Sequence, residues 1–321
     1  MSALIHPPKE LVPVGLAAMK AVALAAGEVK PGARKLVDAA QRLVLGTAID
    51  FDGIAPITPE TFATEFNAPI ELRQQIVRGM CVLALADGKP DSRVMAEVRK
   101  FALAVGVNEP ALRPLELFAH GQVLLGALDY HRRSNLRTML EGEMERGLFA
   151  GVKAFLGIRG LVEDPLVAAP FLALADLPEG TLGRAFYDHY RANGFALPGE
   201  KHGFPESAVY HDLTHVLAGY GTDPFGELQI GAFTAGFRKR DPFFVALLPL
   251  LVFVAEINVT PIPHGHADAM FEQPGVAEDY IAAIERGSRV KVDLSDHWDF
   301  WPLMPLPLDV VRERLGISRP S

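Results

Sequence analysis

The chain has 321 residues, 49% hydrophobic and 22% charged, which at roughly 150 residues per domain makes about two domains and argues against disorder. Lys and Arg number 31 against 39 Asp and Glu, a formal charge of -8 at pH 7, and a net negative field argues against broad nucleic-acid binding. The single Cys81 excludes an intrachain disulfide, a Cys-rich zinc site and an iron–sulfur centre, and it suits a reducing, cytoplasmic compartment; any metal must then be held by histidine and carboxylate.

The first apolar stretch, residues 11–26, is interrupted by Lys20, while Lys9 and Glu10 cancel ahead of it. A secretory signal wants a basic start and an unbroken apolar centre, so the stretch reads as a buried or surface-lying helix. Residues 33–48, 70–86 and 92–107 carry apolar groups at helical spacing, with the turn DGKPD at 87–91 between the last two. Residues 112–128 read as one further helix, weakened by Pro114 and Gly121, and the charged stretch 132–146 as an exposed one. Strand-like alternation is nearly absent, so the fold class reads as mainly α-helical.

The helix ending in ALADGKPD, followed by one running into FALAVGV, resembles the tellurite-resistance TerB-like helical fold. Some members of that family use carboxylates near this turn for metal. Asp87 and Asp91 lie there without a further acidic cluster, and Asp87 reads as a plain turn residue. The expected job of this half is docking or regulation. A glycine-bearing segment then puts the boundary near 150–165, giving an accessory domain over 1–155 and a second helical domain over 156–321.

The second half holds a helix around 165–175, the segment LPEGTLGRAFYDHYRANGFALPG at 177–199, two helices carrying metal-type residues, a long apolar run and a proline-rich tail expected to be irregular. The run at 243–255 is too short for a membrane span, which needs about 20 residues, and Pro249 would kink a helix there. A core helix is the favoured reading, compatible with a groove for an apolar chain.

The richest chemistry is YHDLTHVLAGYGTDPFGELQIGAF, residues 210–233. His211 and His215, four apart on a helix, put both imidazoles on one face within reach of a single ion. Asp212 lies about 100° around the helix, where it could ligate the ion or orient a histidine. After a turn holding Gly219, Gly221 and Pro224, Glu227 opens a second helix and could return a carboxylate to the same ion. Two histidines and one or two carboxylates suit zinc or iron(II), and also manganese or cobalt. This is not the HExxH of zinc proteases, since Asp212 follows His211 and no glutamate stands ready as general base.

The HDxxH pattern at 211–215, with Glu227 after eleven intervening residues, is similar to the signature of the COQ4 family of ubiquinone (coenzyme Q) biosynthesis proteins. LPEGTLGRAFYDHYRANGF, FGELQIGAF and the tail VVRERLGI agree with that family's surrounding stretches, and the resemblance runs over residues 160–318. It implies that His211, Asp212, His215 and Glu227 bind zinc or another divalent ion and form the catalytic set. It further implies C1 decarboxylation with hydroxylation of a polyprenylated 4-hydroxybenzoate-type ring, or else a non-catalytic lipid-binding scaffold of the biosynthetic complex. The expected partners are a polyprenylated aromatic substrate, other ubiquinone biosynthesis proteins, the inner face of the cytoplasmic membrane as a peripheral contact, and a second copy of the chain. The amino-terminal half lies outside the family's usual extent.

Other residues carry open readings. His264 and His266, with Asp268, suit a second metal site, a lid or a surface loop. Tyr187, Tyr190 and Arg191 could line a pocket, although Arg184 and Arg191 read first as salt-bridge partners. Trp298 and Trp301 suit core packing ahead of a membrane face.

Overall fold

The computed structural model describes residues 4–134, 163–259, 267 and 269–319, apart from the Ser207 side chain; within them the chain is mainly α-helical and contains no strand. An isolated antiparallel bridge pairs Thr181 with Pro307. Most of the 132–146 stretch, and His264, His266 and Asp268, lie outside the described residues.

In the first half, α1 (Val12–Leu24), α2 (Pro31–Ala40), α4 (Ile70–Leu85) and α5 (Ser92–Ala104) follow the apolar spacing, while α3 (Pro59–Glu65) forms where the sequence pattern marked no helix. Start signals act as chemistry requires: Thr58 accepts from the Thr61 amide to open α3, and Asp91 accepts from the Arg93 amide to open α5. Lys20, the charge inside α1, is buried, and it donates to the Phe51 carbonyl at 3.2 Å with Asp52 at 3.6 Å. Its partners make that burial tolerable.

The expected helix over 112–128 is two, α6 (Leu112–Ala119) and α7 (Val123–His131). Gly121 between them takes φ 72°, a left-handed step that ends a helix and turns the chain.

The second half runs α8 (Pro165–Leu172), α9 (Leu182–Ala192), α10 (Val209–Ala218), α11 (Pro224–Phe237), α12 (Pro242–Pro249), α13 (Val276–Ser288) and α14 (Leu308–Leu315). α11 is central, packed between α12 and α13. Its contact with α13 depends on absent side chains. A Cβ at Gly236 would lie 2.5 Å from the Gly287 carbonyl carbon, and one at Gly287 would collide with the Phe233 carbonyl oxygen. Gly231 likewise leaves room for the Pro249 ring, with only 2.6 Å between a Cβ and Cγ.

The 243–255 run is core, buried throughout except half-buried Leu248. α12 gives way after Pro249 to a π-helical turn at Leu250–Val254, since proline cannot donate to an ordinary helical bond. The tail is less irregular than expected, because α14 forms inside it. Trp301 packs on Phe171 (centroids 4.9 Å) and Phe300 (5.1 Å), and Trp298 on Phe300 (5.8 Å). Helices of the two halves meet where α2 packs on α13 and α4 on the 250–254 turn, and their buried apolar residues form one continuous cluster. Among the described residues, no helix is long and apolar enough to cross a membrane.

Candidate metal centre

Local sequence positions the ligand-type residues before any tertiary contact does. α10 carries His211 and His215 one turn apart and ends at Gly219, whose φ of 77° lets its amide reach the His215 carbonyl. The chain then turns, and Asp223 opens α11 by accepting from the Gly226 amide at 2.8 Å. Pro224 takes the first helical position, where no amide is needed. Gly226 lies against Gly221, a closeness that excludes any side chain. This turn sets Glu227 in the first turn of α11, facing α10.

His211, His215 and Glu227 each present one ligand atom, and the three lie within 4.8 Å of one another. The two Nε2 atoms are 3.1 Å apart, and Glu227 approaches them at 3.4 Å (His211) and 3.3 Å (His215). The His215 side chain is 1% exposed while that of His211 is 43% exposed, so the cluster has one sealed and one solvent-facing side.

Carbonyl oxygens only accept, so His215 Nδ1 must donate to the Tyr220 carbonyl, at 3.3 Å. That bond selects the tautomer whose Nε2 lone pair faces the cluster. His211 Nε2 then carries the proton between the rings. Burial opposes the imidazolium, but the Glu227 carboxylate, and then Asp212, override it and raise His211 to about 9. Glu227 is correspondingly held well below the usual carboxylate range: burial pushes it up, and the two imidazoles more than reverse that. The groups thus form a charge-balanced set with a proton where a cation would bind. Two imidazoles and a carboxylate fit zinc or iron(II) by their donor chemistry.

Asp212 is placed elsewhere. Its Oδ2 accepts a short hydrogen bond from Tyr190 of α9, whose buried hydroxyl is raised far above the phenol range by burial and by that carboxylate. The other pocket readings resolve into ion pairs: Arg184 donates to Asp188 at 2.9 Å, and Arg191 to Glu200 through two bonds of 2.9 Å while lying over the Tyr187 ring.

Sequence reading passed over His189, whose ring stacks 6.0 Å from that of His215 with its Nε2 buried and unpartnered. Burial, then His215, lowers its pKa. No spacing in the sequence singles it out; one turn later Asn193 accepts a hydrogen bond from the Thr222 hydroxyl in the 219–223 turn at 2.9 Å. Arg312 of α14 was likewise missed, and it donates to the Val216 and Leu217 carbonyls at 3.1 and 2.9 Å, satisfying the end of α10.

No protein-family model matches the chain, and no curated protein matches it. Among solved structures, the chain is similar to a candidate ubiquinone biosynthesis protein from Nostoc punctiforme PCC 73102, at 20% identity over 65% of this chain and 95% of that one, with a TM-score of 0.36. A superposition that loose carries no argument about function.

Proposed function

We propose that this chain is a metal-dependent enzyme of ubiquinone biosynthesis, acting at C1 of a polyprenylated 4-hydroxybenzoate-type ring by oxidative decarboxylation, in which the carboxylate leaves as carbon dioxide, a hydroxyl takes its place, and dioxygen serves as the external two-electron oxidant. The observation that carries the reading is the convergence of His211, His215 and Glu227 within 4.8 Å, at the spacing of the HDxxH-and-Glu pattern. A divalent ion bound there, zinc first, with iron, manganese or cobalt as alternatives, supplies Lewis acidity toward the ring carboxylate and phenolic oxygen.

The residues themselves do three things in this reading. His215, locked by Tyr220, offers Nε2 from the sealed side. Glu227 supplies the negative charge that balances a cation. His211 forms the solvent-facing edge, where the ring would approach. A scaffold in which the ion only staples helices calls for a closed, four-ligand site. With Asp212 turned to Tyr190, three protein ligands supports the enzyme over the scaffold. The lipid nature of the substrate makes a peripheral membrane contact, and contact with other enzymes of the pathway, part of the same proposal.

The test is a deletion strain complemented with wild type or Glu227→Gln and analysed for quinone precursors by mass spectrometry. The variant should accumulate a prenylated ring that retains its C1 carboxylate, while wild type restores the quinone. A normal quinone profile in the deletion strain would overturn the reading.

A further inference from the structure

A cavity of about 180 Å³ lies where the two halves meet, away from the metal-type cluster, with which it shares no lining residue. Most of its wall comes from residues 4–82, mainly α1, α2 and α4; Phe243 and Ala246 of α12 and Tyr280, Ile281 and Ile284 of α13 complete it. The wall is almost entirely carbon, and its few polar side chains are already engaged. Gln75 accepts from the Ile5 amide at 2.7 Å and donates to the Ile5 carbonyl at 2.8 Å. Arg78 pairs with Glu109 at 2.7 Å, and the Tyr280 hydroxyl donates to the Ala246 carbonyl at 3.4 Å.

Close-packed interiors hold few voids larger than a water molecule. A cavity that offers water no free polar partner stays dry, and an engineered apolar cavity of about 150 Å³ takes up benzene. This one is larger. The segment before α1 lies across it as a strap, with Leu4, Pro7 and Leu11 in the wall. The strap is held by the Gln75 clamp on Ile5 and by His6 Nδ1, which donates to the Val44 carbonyl at 2.7 Å.

We propose that this cavity is a binding site for the end of a single hydrocarbon chain, closed over by the strap at residues 4–11. By the benzene comparison the occupant is a group of roughly six to ten carbons, either linear or isoprenoid, and it binds independently of any metal.

Gly79 of α4 supplies the variant. A Cβ there meets nothing closer than Met19 Cε at 3.9 Å, and both residues line the cavity. Gly79→Leu therefore fills the space from inside. In the full chain, saturating 1-octanol or geraniol should raise the thermal midpoint of wild type by about 2–4 °C and leave Gly79→Leu unmoved. Metal content should be equal in the two proteins. A response to octanol alone marks a linear chain as the occupant, to geraniol alone an isoprenoid, and to both any hydrocarbon terminus. No response of wild type to either probe, or an equal response of the filled variant, overturns the proposal. If Gly79→Leu does not fold, Leu16→Phe narrows the same cavity from α1 and is read in the same way.

Discussion

Carboxylates beside glycine-bearing turns occur in both halves, with opposite uses. In the first half, Asp87 accepts from the Gly32 and Ala33 amides at 2.6 and 2.8 Å and so caps α2 from a distant turn. Asp91 caps α5 and pairs with Arg93 at 2.8 Å. In the second half, Asp223 takes the capping role, which leaves Glu227, one turn later, to face two imidazoles. A carboxylate whose lone pairs meet backbone amides and a guanidinium is committed to structure. One whose only charged partners are histidines can exchange their proton for a metal. The difference lies in the partners, and composition near a turn does not reveal it.

The strongest way to break this contrast is metal analysis of purified protein. His215→Ala and Glu227→Gln should lower divalent-ion affinity by about 100-fold or more, beyond the range typical of residues that only orient a ligand. Asp87→Ala should leave metal content unchanged. Equal metal loss in all three variants would erase the distinction.

Next in size is Gly287→Ala, which drives a methyl into the Phe233 carbonyl across the α11–α13 contact. Because the obstacle is backbone, the variant should lose about 3 kcal/mol or more, read as a lower denaturation midpoint. Asp87→Ala removes two charge-assisted bonds at the start of α2 and should cost about 2 kcal/mol by the same measurement.

The smallest effect is an acid one. The Arg93 side chain, then its backbone amide, holds Asp91 at about 2, below its usual 3.8. A depressed carboxylate contributes stability above its unfolded pKa and loses it as pH falls through the folded one. Wild type should therefore lose stability between those two values relative to Asp91→Asn, by about 1 kcal/mol because the pair is partly exposed. Parallel acid curves for the two proteins would count against the assignment.

Much of the fold is legible in the sequence itself. Helical periodicity located α1, α4 and α5, because apolar residues three and four apart must share a buried face whatever covers it. The exact break at Gly121 was harder, since a glycine inside an apolar pattern signals a turn only when its backbone adopts positive φ. The His211 and His215 pairing follows from 3.6 residues per turn. Glu227 joined them on the strength of a spaced pattern and a turn, and the geometry brings all three together.

Three-dimensional packing alone assigned the rest. Asp212 sits beside His211 in sequence, yet its partner is Tyr190, supplied by a different helix. The tautomer of His215 depends on the Tyr220 carbonyl, and no residue identity encodes where a carbonyl points. Arg312 reaches α10 from 95 residues away, and the apolar cavity is walled by both halves at once. Periodicity and spacing are local properties, fixed by backbone geometry over a few turns. Partner choice and void space arise only when distant helices meet, which is why this sequence discloses its ligand-type residues more readily than their neighbours.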